Sequence, residues 1–501
     1  MSIGFDTRVT EGGQGPRQIA SIRLLIVTQF FPPDYAPTGQ LIEELAHHLS
    51  QQGIDVQIFT GQPGYALQNH IAPQAETRDR VNVRRTRSIY LWSHRIRGQA
   101  LSGLLFCMRS TLHLLRHASQ THVLLLTTAP PFLQVLGYGI HHLCGLPYVC
   151  LLYDLYPEII ITLGVIPESH WIIQFWHGLN KRIWQRAEAI VVLSETMKQR
   201  LTDKHPELTS KISVIHNWAD PDLIKPIPKQ ANWFAQAHDL VDYFVVLYSG
   251  NTGRCHDLDT LLDAAKLLQQ EPIKFVFIGG GTQYQTCRQR ARDWQLEQVL
   301  FLPYQDKSVL PYSLTACDLS IVSIGPHMEG LVAPSKLYSA LAVGRPIAAI
   351  CESHSYLKPL LHQAKCGQTF RHGDSQGLAN FIRQLNGDPN LAARLGRSGR
   401  QYLETHFSPK HIAQDYYRLL HRVAGKTQPV SETDLPAVTP RKQGDQTNAE
   451  LTTALGGNRG LEEYPQGPSL PVEWQSVRWR SLRVPKGESS NPPQDDSKDC
   501  S

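Results

Sequence analysis

The sequence predicts an α/β protein of two doubly wound domains, each built on a parallel sheet. Three observations predict it. Short, near-continuous apolar runs recur along the chain, as expected where both faces of a parallel sheet are covered. Segments of helical period lie between them, which makes a repeating βα pattern. A proline-rich break divides the alternation into two blocks of similar texture.

The elements follow in order. Residues 1–21, "MSIGFDTRVTEGGQGPRQIAS", read as a loose, disordered leader with no secretory signal. In residues 22–222 the strands are "IRLLIVTQF", "DVQIFTG", "HVLLLTT", "PYVCLLYD", "AIVVLSE" and "ISVIHN". Between the first two, "GQLIEELAHHLSQQG" places Ile42, Leu45, Ala46 and Leu49 on one helix face, and Gly53 stops it. "NWADPDLIKPIPKQ" carries three prolines, and residues 223–241 are read as the linker. The pattern resumes over residues 242–410 with "YFVVLYSGN", "IKFVFIGGG", "VLFLPY", "LSIVSI" and "RPIAAIC". A last amphipathic helix takes residues 411–425. Residues 426–501 are rich in Pro, Gln, Gly, Ser and charge, and are read as a disordered tail.

Composition narrows the function. With 501 residues, 41% of them hydrophobic, the chain can bury a large core, and a net charge of +5 does not point to nucleic acid. Nine scattered cysteines show no CxxC and no zinc-like spacing, which fits thiols in a reducing, cytoplasmic compartment. His122 to Tyr153 contains no Asp, Glu, Lys or Arg, yet prolines and glycines interrupt it. It is read as strand, loop, helix and strand rather than as a membrane span.

In open parallel sheets the ligand lies outside the carboxyl ends of the strands, so the loops there carry the chemistry. The loop after the first strand has no G-x-G-x-x-G, which weakens a dinucleotide reading. "FIGGGTQYQ" has three glycines without dinucleotide spacing. "YSGNTGRCHDLDTLLDAAKLL" is more informative. Gly250 and Gly253 allow amides to approach a phosphate, Arg254 adds charge, and a helix begins near Leu258. "MEGLVAPSKLYSALAVGRP" pairs with it. Val332 to Ser335 can present amides at a helix start, and Lys336 stands in the first turn. Each loop alone also reads as an ordinary helix cap. Two in one domain favour a diphosphate. "DPD" at Asp220 to Asp222 lies in the proline-rich linker, and no metal site is assigned.

The stretches "FFPPDYAPTGQLIEELAHHLSQQGIDVQIFTG", "YDLYPE", "VIHNWAD", "YSGNTG", "FIGGG" and "MEGLVAPSKLYSALAVGRPI" together resemble the family 4 glycosyltransferases of the GT-B fold. Within that family they resemble the bacterial colanic-acid and exopolysaccharide branch, over about residues 23–425. The resemblance implies two Rossmann-like domains facing across a cleft. It implies transfer of a sugar, with retention, from a nucleotide-diphosphate sugar co-substrate to an acceptor hydroxyl, with no further cofactor. The acceptor would be a saccharide, often lipid-linked, at the cytoplasmic membrane face. It matches Gly39, Gly250, Arg254 and Lys336 to diphosphate binding and Glu329 to the acid on the donor sugar. Gly280, Asn251 and Ser335 fall in the matching donor loops. Three departures stand out. Ser339 replaces a ribose-binding Glu, so a charged bidentate contact is lost. Asn251 takes an Arg position, with Cys255 and His256 near a Lys position. Tyr153 replaces a His before Asp154, leaving Asp154 and Glu158 as polar candidates, with Asp154 taken as the second catalytic group.

Two segments point to a membrane surface. Arg84 to Ala118 carries seven Arg and no acid among apolar and aromatic residues. Arg84, Arg85, Arg87, Trp92, Arg95 and Arg97 form its expected lipid-contacting or acceptor-contacting group. "HWIIQFWHGLNKRIWQRAE" sets Ile172, Phe175, Trp176, Leu179 and Ile183 at helical spacing, which suits a lipid face or a core stripe equally. Two other functions remain open at this point: a nucleotide-sugar 2-epimerase of similar fold, and a nucleotide-sugar-binding protein without turnover.

Overall fold

The apolar runs become strands of two parallel sheets. The computed structural model describes residues 21–34, 37–63, 72–86 and 96–425. The expected tail, all but the last residue of the expected leader, and Arg87, Trp92 and Arg95 lie outside the described residues.

The first sheet contains β1 (Arg23–Val27), β2 (Asp55–Thr60), β3 (Ala75–Arg78), β4 (Val81–Arg85), β5 (Val123–Leu126), β6 (Tyr148–Leu152), β7 (Ala189–Val192) and β8 (Ile212–Val214). Its order is β3-β4-β2-β1-β5-β6-β7-β8, parallel except for the β3–β4 pair. Helices α1 (Pro37–Gln51), α2 (Ile96–His117), α3 (Gln134–Cys144), α4 (Glu158–Thr162), α5 (Trp171–Arg186) and α6 (Glu195–Lys204) connect the strands. The charge-free stretch from His122 to Tyr153 thus folds as β5, α3 and β6. Among the described residues no helix is long and apolar enough to cross a membrane.

The second sheet contains β9 (Phe244–Asn251), β10 (Ile273–Gly280), β11 (Val299–Leu302), β12 (Leu319–Ser323), β13 (Ile347–Ile350) and β14 (Gly367–Phe370). Its order is β11-β10-β9-β12-β13-β14, the Rossmann arrangement with its reversal between β9 and β12. Around it lie α7 (Trp233–Ala237), α8 (Asp259–Leu267), α9 (Tyr284–Asp293), α10 (Leu310–Thr315), α11 (Lys336–Val343), α12 (Leu357–Ala364), α13 (Ser375–Gly387) and α14 (Pro389–His406). The last helix, α15 (Pro409–Gly425), leaves the second sheet and packs against α1 and β5 of the first.

Two features differ from the expectation. The supposed linker holds α7. Asn232 caps it by accepting from the Phe234 and Ala235 amides, and its own amide donates to the Tyr312 carbonyl at 2.9 Å. Phe234 and Ala235 are buried, so this stretch is part of the second domain's packing rather than a free tether. The β3–β4 pair lacks an apolar run because it forms the sheet edge. Only alternate residues, Val81, Val83 and Arg85, face inward.

Candidate active site

The reversal in the second sheet brings the β9–α8 loop beside the β12–α11 segment at the carboxyl edge. Gly250 ends β9 with φ +122, a conformation that favours glycine. A Cβ built there would stand 2.9 Å from Lys336 Cε, so the missing side chain makes room for the lysine. The glycines of "FIGGG" serve the same junction. A Cβ at Gly279 would lie 2.2 Å from the Gly250 carbonyl oxygen, which no side chain permits.

Lys336 is the first residue of α11. Its Nζ lies 3.3 Å from His256 Nε2 and 5.1 Å from the centre of the Tyr248 ring. His256 Nδ1 is 2.8 Å from the Ser323 carbonyl, so Nδ1 carries the proton and Nε2 accepts from the lysine. Burial, and then the neighbouring lysine, lower His256 to about 3 and keep it neutral. Burial lowers the Lys336 ammonium to about 7, and the Cys255 thiol offsets this only in part. The two loops therefore hold a cation that has no carboxylate partner among the described residues and is easily discharged.

Glu329 stands where the two domains meet. It is 2% exposed, and its Oε1 accepts from the Thr196 hydroxyl at 2.7 Å. Thr196 belongs to the first domain, at the start of α6, where the Ser194 side chain caps the helix by accepting from the Met197 amide. Gly330 follows with φ +73, and a Cβ there would lie 2.8 Å from the Thr196 carbonyl oxygen. The second carboxylate oxygen of Glu329, Oε2, is buried without a hydrogen-bond partner. Such an acceptor is costly unless something donates to it.

Asp154 reaches the same segment from the first domain. Asp154 and Val332 form an isolated antiparallel bridge, and the Leu155 amide donates to the Leu331 carbonyl at 2.9 Å. Burial raises the Asp154 carboxyl to about 6. Asp154 also raises the Tyr156 and Cys255 groups, after burial itself, and Lys336 lowers Cys255. The Asp154 carboxylate, the Cys255 thiol and the Lys336 ammonium thus share one electrostatic neighbourhood.

The remaining expected residues divide. Gly39 lies in the first turn of α1, where a Cβ would come within 3.0 Å of the Phe30 and Phe31 backbone, so its own chain already requires glycine. Gly280 ends β10, and its carbonyl accepts from the Tyr304 hydroxyl at 3.2 Å. Asn251 is exposed at the end of β9. Ser335 stands before α11 without a side-chain capping bond. Ser339 Oγ donates to the Lys336 carbonyl at 3.1 Å, within its own helix. Arg254 is exposed and donates from Nη2 to the Leu163 carbonyl at 3.0 Å, reaching across to the first domain. Glu158 pairs with Lys204 at 2.9 Å, away from this cluster's hydrogen bonds. Beside Arg254 opens a cavity of about 530 Å³, also lined by His256, Asp257, Thr260, Pro326 and His372. Asp257 there is already held by Thr260 at 2.6 Å and His372 at 2.8 Å.

Of the expected basic group, the side chains of Arg84 and Arg85 are described, and they part company. Arg85 is buried rather than lipid-facing. Its Nη2 lies 2.6 Å from Glu76 Oε1 and donates to the Pro32 carbonyl, and Nη1 donates to the Pro73 carbonyl at 3.1 Å. The period of β4 explains it, because Arg85 shares the inward face with Val81 and Val83. Arg84, one residue earlier, is exposed and lies 3.4 Å from His117. Arg97 falls in α2, with only its backbone described.

Thr196 and Tyr248 escape a reading by motif, and His256 is reached only through the resemblance, as a residue near a Lys position. "LSET" after an apolar strand signals a helix cap, but the Thr196 contact with Glu329 joins residues 133 apart in sequence.

Two family models match. "Glycosyltransferase Family 4" covers residues 38–223 and "Glycosyl transferases group 1" covers 230–402. The glycosyltransferase-family protein WbjE of Pseudomonas aeruginosa is 25% identical over 295 residues, covering 58% of this chain and 73% of WbjE. WcaI of Escherichia coli K12, described as a colanic acid biosynthesis glycosyl transferase, is 32% identical over 116 residues, 23% of this chain and 28% of WcaI. The structure of Anabaena HepE in complex with UDP and glucose superposes with a TM-score of 0.61 at 16% identity, over 80% of this chain and all of that one. That likeness shows the fold. The two models together span both sheets, and on that ground the chain belongs to the family 4 glycosyltransferases, enzymes of the GT-B fold.

Proposed function

We propose that the chain is a retaining glycosyltransferase of polysaccharide biosynthesis. It moves a sugar from a nucleoside-diphosphate sugar to a hydroxyl of a lipid-linked saccharide, working peripherally at the cytoplasmic face of the membrane. The observation that carries the reading is the Lys336 ammonium at the start of α11, which meets neutral His256 and no carboxylate among the described residues, on the same segment as Glu329 with its free buried oxygen.

In this reading the bond between the anomeric carbon and the diphosphate oxygen breaks, and its electron pair leaves with the diphosphate. Lys336, the amides at the start of α11 and Arg254 stabilise that charge without a metal or other cofactor. Glu329 Oε2 accepts from a donor-sugar hydroxyl and faces the developing positive charge. The acceptor oxygen bonds to the same face of the anomeric carbon and gives its proton to the departing diphosphate. Asp154, close to neutral in pKa, orients that hydroxyl. HepE supports the class of donor, since it binds UDP and glucose on the same fold. The likeness to WcaI supports a saccharide acceptor.

The alternative, a nucleotide-sugar-binding protein without turnover, draws on Ser339, whose hydroxyl is spent within its own helix. One assay separates the two. The purified chain is given UDP-glucose and GDP-mannose with lipid-linked saccharides extracted from membranes, with and without EDTA, and the product's anomeric configuration is read by NMR. Transfer with retention, insensitive to EDTA, is expected. Glu329→Ala should lower it by about a hundredfold while nucleotide still binds. Nucleotide binding with no transfer supports the alternative, and an inverted product overturns retention.

A further inference from the structure

Three neighbouring helices of the first domain carry an apolar outer face. Helix α2 packs against α3, and α3 against α5, on the sheet face opposite α1. Each buries an inner face: Phe106, Ser110 and Leu114 on α2, Ile140 on α3, Trp176 and Ile183 on α5. The outer stripe of such a helix is ordinarily polar. Here Leu104, Met108, Leu112 and Leu115 recur every three or four residues along α2 and are all exposed, Leu104 to 66%. Leu143 of α3 is 73% exposed, and Trp171 and Phe175 of α5 are 71% and 64% exposed. The segment whose stripe read equally as core or lipid face therefore does both. Trp176 and Ile183 point in, and Trp171, Ile172 and Phe175 point out. Large exposed apolar side chains gathered on the neighbouring helices of one face mark an interaction site.

Charge selects the partner. None of the three helices contains an Asp or a Glu. Helix α2 has Arg97, Arg109 and Arg116, and α5 has Lys181, Arg182 and Arg186. Arg182 and Arg186 are exposed and continue the stripe of Trp171 and Phe175 at helical spacing. The nearest acids are at the edges: Glu168 precedes α5 and Glu188 follows it, Glu207 lies 3.7 Å from Lys181, and Glu158, 3.7 Å from His177, is already paired with Lys204. A second copy docked on this face would set like charges against each other. An anionic bilayer meets both needs, accepting apolar side chains beneath its headgroups and attracting the cations.

We infer that the α2–α3–α5 face docks on an anionic lipid surface, held mainly by Trp171, Phe175 and the α2 leucines, with Arg182 and Arg186 at the headgroups. Helices α2 and α5 run toward the amino ends of β5 and β7. Their first turns, with Trp171 in that of α5, therefore lie toward the carboxyl ends of the strands, as the cleft does, and Leu104 stands in the first half of α2. Docking on this face keeps the cleft close to the bilayer. The inference rests on the proposed lipid-linked acceptor for its purpose and on the helices alone for its geometry.

The full chain is tested by co-sedimentation with vesicles of phosphatidylcholine, with and without phosphatidylglycerol, at low and high salt. Binding to the anionic vesicles, weakened but not abolished by salt, is expected. Trp171→Glu with Phe175→Glu should cut binding at least tenfold on both vesicle types. Arg182→Glu with Arg186→Glu should cut it on the anionic type. Leu223→Glu, at an exposed apolar residue outside these helices, should change nothing. Thermal melts and UDP affinity, measured on the same variants, check folding and the donor site. A parent that binds neither vesicle, or face variants that bind like the parent, overturns the inference. So does a parent dimer that the Trp171/Phe175 variant dissociates, since a second copy would then cover the face. Vesicle binding with no nucleotide binding or transfer would leave the docking face standing and refute the proposed enzyme.

Discussion

Nucleotide affinity should fall steeply as pH rises above neutrality, and Lys336 should be the cause. In the free protein burial lowers this lysine to about 7, with neutral His256 and the Tyr248 ring as its neighbours. A bound diphosphate restores the charged form and raises its pKa toward the ordinary value of about 10.4. The sign follows from linkage. Below about pH 7 the free protein already holds the proton, and this group adds no pH dependence. Above it, binding must take up a proton that grows scarcer with each unit. The charged fraction drops from about one half at pH 7 to about one hundredth at pH 9, so affinity should fall roughly fiftyfold, or about 2.3 kcal/mol. Near pH 8 about one proton should enter per nucleotide bound. Calorimetry with UDP and GDP, in buffers of different ionisation enthalpy, reads both quantities. The neighbouring groups stay silent in this window. His256 titrates at about 3, Asp154 at about 6, and burial raises the Cys255 thiol. Lys336→Met should bind more weakly at pH 7 and show no slope. Equal parental affinity at both ends of the window, or a slope retained by Lys336→Met, would refute the assignment.

Thr196→Val removes the hydroxyl that holds Glu329, and should lower kcat for transfer by about tenfold, the size of one lost hydrogen bond to a charged group. The KM for donor should barely move, and Thr196→Ser should restore the rate; a change in KM alone would make Thr196 a merely structural contact. Arg85→Ala should cost about 1.5–3 kcal/mol in urea unfolding because it takes the donor from Glu76 Oε1 and from the Pro32 and Pro73 carbonyls, while Arg78 still holds Glu76 Oε2 at 3.1 Å, whereas Arg84→Ala should stay within about 0.5 kcal/mol. Equal effects from these two neighbours would mean that the inward face of β4 is misassigned.

The buried parallel strands were legible because both faces must be apolar, which leaves a continuous run that no surface segment shows. Strands at or next to a sheet edge can keep one wet face, and β3, its neighbour β4 and β14 accordingly carry Glu, Arg, Asn or Gln and escape a search for such runs. Alternation in "VNVRR" held the missing information, and it places Arg84 and Arg85 on opposite faces. The site was legible where local backbone demands leave a mark. Gly250 must take a positive φ, and Lys336 must begin a helix. It was not legible where the partner is remote. No spacing rule links Thr196 to Glu329 or Arg254 to Leu163, because each contact depends on how two separately folded sheets face each other.

The return of α15 to the first domain has a mechanical consequence. The chain passes between the domains twice, once between β8 and β9 and once between α14 and α15. Two bodies joined at one point can tumble freely about it. Joined at two, they turn only about the line through both. Any widening of the cleft is thereby reduced to a swing in one plane. Residues near that line barely shift, whereas those farthest from it sweep the widest arc, and a loop's distance from the line sets how far it must travel before product escapes.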